Sequence, residues 1–368
     1  MKVFHLIGGG DTGGARTHVL SLLGELGRDG EARLLTLGDG PLTRAARERG
    51  ISCAALPGGF SAALAAAERA VTAGDGELLH CHGGRANLTG ALLKKRLGIP
   101  VITTVHSDWR LDYLGRPLAG MSYGTLNAWA LRRMDALVCV SDAMAELCRA
   151  RGFRRVYAVY NGTDMERFPP AADRETWLRA RGVSVPPEAI LCGAAARLEP
   201  VKDLPTLLRG FAAAAAEEPA LRLLLAGTGR EEKKLRALSR ELGTEDRVHF
   251  LGWVEDMDGF SSLLDMSLLT SRSETFPYAL TAAAAYGVPA AASAVGGVPA
   301  LVEDGVNGLL FPPGDPAAVR DAILTLARDR ARRTAMGAAL REKTAREFSL
   351  GAMAARQREI YREILGTR

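Results

Sequence analysis

The chain has 368 residues, 47% of them hydrophobic and 24% charged, and a formal net charge of +5. That length exceeds one ordinary core and the composition is that of a globular protein, so two domains are expected and a disordered or fibrous chain is excluded. No apolar run reaches the ~18 residues of a membrane span, the amino end enters a strand with no signal-peptide pattern, and five scattered cysteines suit a reducing compartment, so a cytoplasmic protein is expected.

Apolar runs alternate with helical patterns from the start. KVFHLI at 2–7 precedes a helical pattern over 15–28, ARLLTL precedes 42–50, and ISCAAL precedes 61–73. GELLH, PVITTVH and ALVCV are followed by helical patterns over 86–97, 121–133 and 142–151, and VYAVY ends the series. Strands separated by helices imply right-handed crossovers and a parallel sheet covered on both faces. Asn161-Gly162-Thr163-Asp164 breaks that rhythm with turn chemistry, and a second series follows: AILCGAAA, LRLLLAG, RVHFLG and DMSLLT, with helices over 205–217, 231–242 and 317–328. The expected fold class is α/β, with two Rossmann-like doubly wound domains, 1–163 and 164–349, facing a central cleft.

The basic charge is uneven. Between Arg85 and Arg155, 12 Lys and Arg face 5 Asp and Glu, a local excess of +7. Such a segment suits an anionic membrane surface or a polyanionic substrate as well as an ordinary solvated face. No nucleic acid is expected, because no recognition motif or interleaved aromatic pattern accompanies it.

Several motifs carry chemistry. Gly8 to Gly14 follows the first strand and satisfies G-x-G-x-x-G through Gly8, Gly10 and Gly13, yet the acid that would hold a ribose is represented only by Asp39, beyond the strand end. His80-Cys81-His82 has metal-ligating residue types. Two histidines two apart are read as pointing to opposite strand faces with no further pair to complete a site, so no metal is expected. His106 closes PVITTVH, at the strand end where ligands gather. The segment 107–123 mixes Trp109 and Tyr113 with Arg110 and Arg116, which suits an acceptor, a membrane surface or a loop with buried aromatics. Arg197 and Lys202 flank a strand-to-helix loop and together would neutralise a diphosphate without a metal. Glu274 stands before Thr275-Phe276-Pro277 and an Ala-rich helical pattern that Pro277 is expected to open, with free amides there to hold an anion.

In this order the motifs resemble those of the retaining glycosyltransferases of family GT4, which have the GT-B fold. The matching runs are Gly13-Gly14-x-x-x-His18-Val19, His106, Asn161-Gly162-x-Asp164, Arg197-Leu198-x-x-x-Lys202, Glu274-x-Phe276-Pro277 and the glycine pair Gly296-Gly297. The resemblance implies a closing helix, about 350–368, that packs back on the first domain. It implies that Glu274, His106, Arg197 and Lys202 are catalytic. It places Gly13, Gly14, Gly229, Trp253, Thr275, Phe276 and Pro277 with them around the donor, and His18, His106 and Trp109 at the acceptor. The implied reaction moves a sugar from a UDP- or GDP-linked donor to a hydroxyl, free or on a lipid-linked or cell-envelope glycan, with neither cofactor nor metal. Peripheral contact with the inner membrane face goes with that acceptor class. The family usually has a second Glu eight positions after the first, where this chain has Ala282. That departure leaves two other readings open: a nucleotide-sugar binding protein with weakened catalysis, and a nucleotide-sugar epimerase.

Overall fold

The alternating runs form two parallel sheets. The computed structural model describes residues 1–11, 14–27, 30, 32–108, 124–165 and 169–366. It divides into two compact units, Met1–Gly162 with Leu350–Arg368, and Thr163–Ser349.

The first unit has seven strands: β1 (Val3–Gly8), β2 (Ala32–Leu37), β3 (Cys53–Leu56), β4 (Leu78–His82), β5 (Val101–Val105), β6 (Ala136–Cys139) and β7 (Val156–Ala158). They pair in the order β3-β2-β1-β4-β5-β6-β7, all parallel. The chain leaves β1 toward one edge and returns at β4 to build the other, so the switch point lies between these two strands, where their carboxyl ends leave a crevice. The strands read as unbroken apolar runs because helices cover both faces. The helix Leu350–Gly366 belongs to this unit and packs on Gly14–Leu26, adding Met353, Ile360, Tyr361 and Ile364 to its core.

The second unit has β8 (Ile190–Ala195), β9 (Leu221–Ala226), β10 (Val248–Gly252), β11 (Met266–Leu269), β12 (Ala290–Ser293) and β13 (Gly308–Phe311), in the order β10-β9-β8-β11-β12-β13. Its switch point lies between β8 and β11. Sequence-local capping helps to place its helices: Asp315 accepts from the amides of Ala317 and Ala318 at 2.9 and 3.0 Å, just where Pro316 starts the helix Pro316–Arg328. Thr163 opens the unit by pairing with its last residue, Ser349. Among the described residues no helix is long and apolar enough to cross a membrane.

Candidate functional site

A cavity of about 310 Å³ sits at the switch point of the second unit, lined by the ends of β8 and β11 and by Arg197, Lys202, Ser271, Glu274, Phe276 and Pro277. Two loops meet there. Lys202 ends the short turn Pro200–Lys202, and Asp203 after it takes a left-handed φ of 46°. Thr270 Oγ1 donates to the Lys202 carbonyl at 3.0 Å, Arg272 N–H donates to the Val201 carbonyl at 2.8 Å, and the Arg272 guanidinium pairs with Asp203 at 3.1 Å. These ties place the Lys202 ammonium 2.5 Å from Glu274 Oε2, with Ser271 Oγ donating to the same oxygen at 3.3 Å. Lys202 is therefore a paired cation, its partner 72 residues further along the chain. Arg197 is exposed and has no ion-pair partner among the described residues.

Glycines let the backbones approach. Gly296, at φ +53°, stands where an added Cβ would lie 1.7 Å from the Glu274 carbonyl oxygen, and Gly297 N–H donates to that oxygen at 3.0 Å. Gly229 does the same for the Arg197 loop, its added Cβ falling 2.4 Å from the Leu198 carbonyl oxygen. Its place in the sequence is thus explained by loop packing. Trp253 is 78% exposed, and neither it nor Gly229 or Thr275 lines the cavity.

The helix after Glu274 differs from the expectation. It is Tyr278–Ala284, seven residues, and Pro277 is its N-cap instead of its first helical residue. The amides of Tyr278, Leu280 and Thr281 bond to the Phe276 and Pro277 carbonyls, so of the first-turn donors only Ala279 N–H lacks a partner among the described residues. Fewer free amides stand there than the sequence suggests, because the turn closes on itself. Tyr278, which the sequence reading passed over, lines the cavity with its hydroxyl buried and unpartnered.

The first unit has its own cavity, about 670 Å³, at the switch point between β1 and β4, lined by Gly8, Gly10, Asp11, His82, Arg85 and Leu126 among others. Burial raises the Asp11 carboxyl and the Arg85 charge opposes that shift. Gly14 is exposed at the start of Gly14–Leu26. Gly13 and Trp109, with most of the 107–123 segment, lie outside the described residues.

Beside that cavity five of the six histidines form one cluster. His80 and His82 share a face of β4, with ring centroids 4.4 Å apart, which corrects the reading that put them on opposite faces. Side chains alternate along a strand, so positions two apart point the same way. His5 joins them from β1, in register with His80, and the three offer nitrogens within 4.8 Å of one another. His18 Nδ1 lies 2.6 Å from Asn161 Oδ1, and since an amide oxygen only accepts, Nδ1 carries the proton and Nε2 keeps a buried, unpartnered lone pair. The His106 ring is 5.0 Å from that of His18. Nothing in the one-dimensional pattern flags His5 or Tyr361, which meet these residues only through strand register and the returning helix.

Burial pushes His5 down to about 3 and His18 to about 4, and holds His80 and His82 well below the ordinary imidazole value. The unfolded chain, with imidazoles near 6.5, binds these protons first as pH falls. Stability is fully present above pH 6.5 and is lost as pH falls toward the folded values, each group adding up to ~1.4 kcal/mol per pH unit. Urea denaturation at pH 7.5 and at about 5.5 should show a marked drop in the midpoint; a flat profile would contradict the buried neutral cluster.

Two doubly wound parallel units, each with a cavity at its switch point, fit the GT-B fold. HepE of Anabaena, solved with UDP, superposes with a TM-score of 0.84 at 22% identity over 99% of this chain and 100% of that one. Residues 179–343 match the profile "Glycosyl transferases group 1" and residues 12–167 match "Glycosyltransferase Family 4". D-inositol 3-phosphate glycosyltransferase 2 of Catenulispora acidiphila is 30% identical over 88% of this chain and 83% of its own length. N-acetyl-alpha-D-glucosaminyl L-malate synthase of Bacillus anthracis is 28% identical over 78% and 75%. The chain belongs to glycosyltransferase family 4, and its chemistry is glycosyl transfer.

Proposed function

We propose that the chain moves a sugar from a uridine diphosphate sugar to a hydroxyl on a small anionic acceptor, with retention at the anomeric carbon and without a metal. The observation that carries this reading is the cavity of the second unit, where Arg197, Lys202 and Glu274 converge at a switch point. As the bond from the anomeric carbon to the diphosphate breaks, its electron pair stays on the phosphate oxygen. Fixed cations already beside that oxygen lower the barrier, because they need no reorganisation when the charge develops. Arg197 and Lys202 supply that charge, and the Ala279 amide adds one donor. Glu274 Oε1, with no partner among the described residues, accepts from a hydroxyl of the donor sugar. The acceptor hydroxyl enters on the face the diphosphate leaves and its proton passes to the departing phosphate oxygen, so no side-chain base is needed. In the first unit, His106 offers the acceptor a hydrogen bond.

UDP is favoured by the HepE complex and by the fit of a diphosphate to this charge set. The first unit's cavity, where Arg85 offers a guanidinium, and the acid groups in both relatives' names support the anionic acceptor. A thermal-shift panel of UDP, GDP and NAD, followed by transfer from UDP-sugars and NMR of the product anomer, tests it. UDP at about 100 times its dissociation constant should stabilise the protein by ~2.7 kcal/mol, and EDTA should leave transfer intact. Stabilisation by NAD alone would remove the reading. Transfer only to acceptors held in liposomes would move the acceptor to the lipid-linked class, donor isomerisation without acceptor would indicate an epimerase, and UDP binding without turnover a binding protein.

A further inference from the structure

The buried histidines form one unbranched chain of hydrogen bonds. Thr104 Oγ1 lies 2.7 Å from His80 Nε2, and His80 Nδ1 lies 2.6 Å from Tyr361 Oη. Tyr361 Oη lies 3.2 Å from His5 Nε2, His5 Nδ1 lies 3.1 Å from His82 Nε2, and His82 Nδ1 lies 3.2 Å from His106 Nε2. Thr104, His80, Tyr361, His5 and His82 are all buried, and His106 is half-buried at the end.

Counting protons fixes the direction. A neutral imidazole has one N–H and one lone pair, and a hydroxyl has one O–H. Six groups therefore bring six protons to five links, and every link is filled without a buried orphan only if all bonds point the same way. If they point toward Thr104, its O–H is the surplus proton, buried with no second partner among the described residues. If they point toward His106, the surplus proton is the Nδ1–H of a half-buried ring. An unpaired donor deep in the core is the costlier of the two. Mixed arrangements that meet at Tyr361 strand the phenol proton instead.

We infer that Thr104, His80, Tyr361, His5 and His82 are positioning residues that hold His106 in the Nδ1–H tautomer, so that it presents a donor. The depressed imidazole values of the buried rings agree with a neutral chain. The same count disfavours a metal at His5, His80 and His82: both nitrogens of each ring are already engaged in the chain, and none of its members is a carboxylate to offset a buried dication.

The chain has only six histidines, so nitrogen-15 labelling of histidine and two-bond proton–nitrogen correlation resolves each tautomer, with His106→Gln giving the assignment. Wild type should show His106 protonated on Nδ1. Thr104→Val and Tyr361→Phe, both close in shape to the native residues, release the chain and should give mixed tautomers at His106, with Thr104→Ser restoring one. The activity arm rests on the transferase reading: kcat should fall about five- to tenfold in Thr104→Val with donor KM unchanged, and return in Thr104→Ser. The tautomer arm needs neither donor nor acceptor, so it fails or holds independently of that reading. An Nε2–H tautomer in wild type, no change at His106 in either variant, or an equivalent of zinc or copper bound through these rings would overturn the inference.

Discussion

Lys202→Ala and Glu274→Ala are each expected to lower turnover about 10²- to 10³-fold, but with opposite effects on nucleoside diphosphate affinity. The two side chains form one half-buried ion pair, 19% and 13% exposed, so the ammonium is shared between the carboxylate and any incoming anion. At a separation of 4 Å and an effective dielectric near 20, a pair of unit charges interacts by ~4 kcal/mol. A diphosphate carries more than one negative charge and competes successfully, but it must displace or share with Glu274. Removing Lys202 takes away the cation and leaves Glu274 as a buried charge facing the phosphate, so UDP should bind at least tenfold more weakly, by ~1.5–3 kcal/mol for one charge-assisted contact. Removing Glu274 frees the ammonium, so UDP should bind as well as in wild type or better while transfer fails for want of the contact to the donor sugar. Titration calorimetry with UDP and steady-state kinetics on both variants, each checked for an unchanged melting profile, separate these outcomes. Equal weakening of UDP binding in the two variants would show that Glu274 does not compete for Lys202, and normal turnover in both would remove the site.

The two-sheet plan was legible because parallel strands buried on both faces leave unbroken apolar runs with helical patterns between them, a signal that survives without any tertiary knowledge. Arg197 and Lys202 were legible as cations in a strand-to-helix loop and Glu274 as an acid before a helical pattern, and the structure brings all three to one cavity. Their pairing was not. Lys202 and Glu274 are 72 residues apart, and whether two charges meet depends on loop conformations such as the left-handed Asp203. The histidine chain failed for a different reason. Its members come from β1, β4, β5 and the returning helix, so its existence depends on the register that sets His5 beside His80, and a misapplied strand period hid even the local pair His80 and His82. Tyr361 stands 281 residues from His80, beyond the reach of any local pattern.

Gly296→Ala is expected to unseat Glu274 and lower turnover by about 10²-fold, the typical cost of a ~1 Å misplacement at a reacting centre. Two effects act at this position and a control separates them. At φ +53° any side chain is strained, which costs ~1–2 kcal/mol in the left-handed region. Gly243, at φ +67° with nothing within 4 Å of an added Cβ, carries that strain alone, so Gly243→Ala should lower the melting temperature by a few degrees with transfer intact. At Gly296 the new methyl would also stand 1.7 Å from the Glu274 carbonyl oxygen, where ordinary contact begins at 3.4 Å. The neighbour is backbone, which cannot rotate out of the way as a side-chain tip can. Relief must come from moving the 271–277 loop or the 293–297 turn, and Ser293 Oγ, donating to the Ser271 carbonyl at 2.7 Å, ties the two together. The displacement therefore reaches Ser271 and Glu274 and pulls the carboxylate off Lys202. Gly296→Ala should then lose more stability than Gly243→Ala and, in protein that is still folded at the assay temperature, far more activity, measured by melting temperature and by kcat/KM on the same preparations. Equal activity in the two variants would mean that the glycine serves only its own backbone conformation and that Glu274 is held by something else.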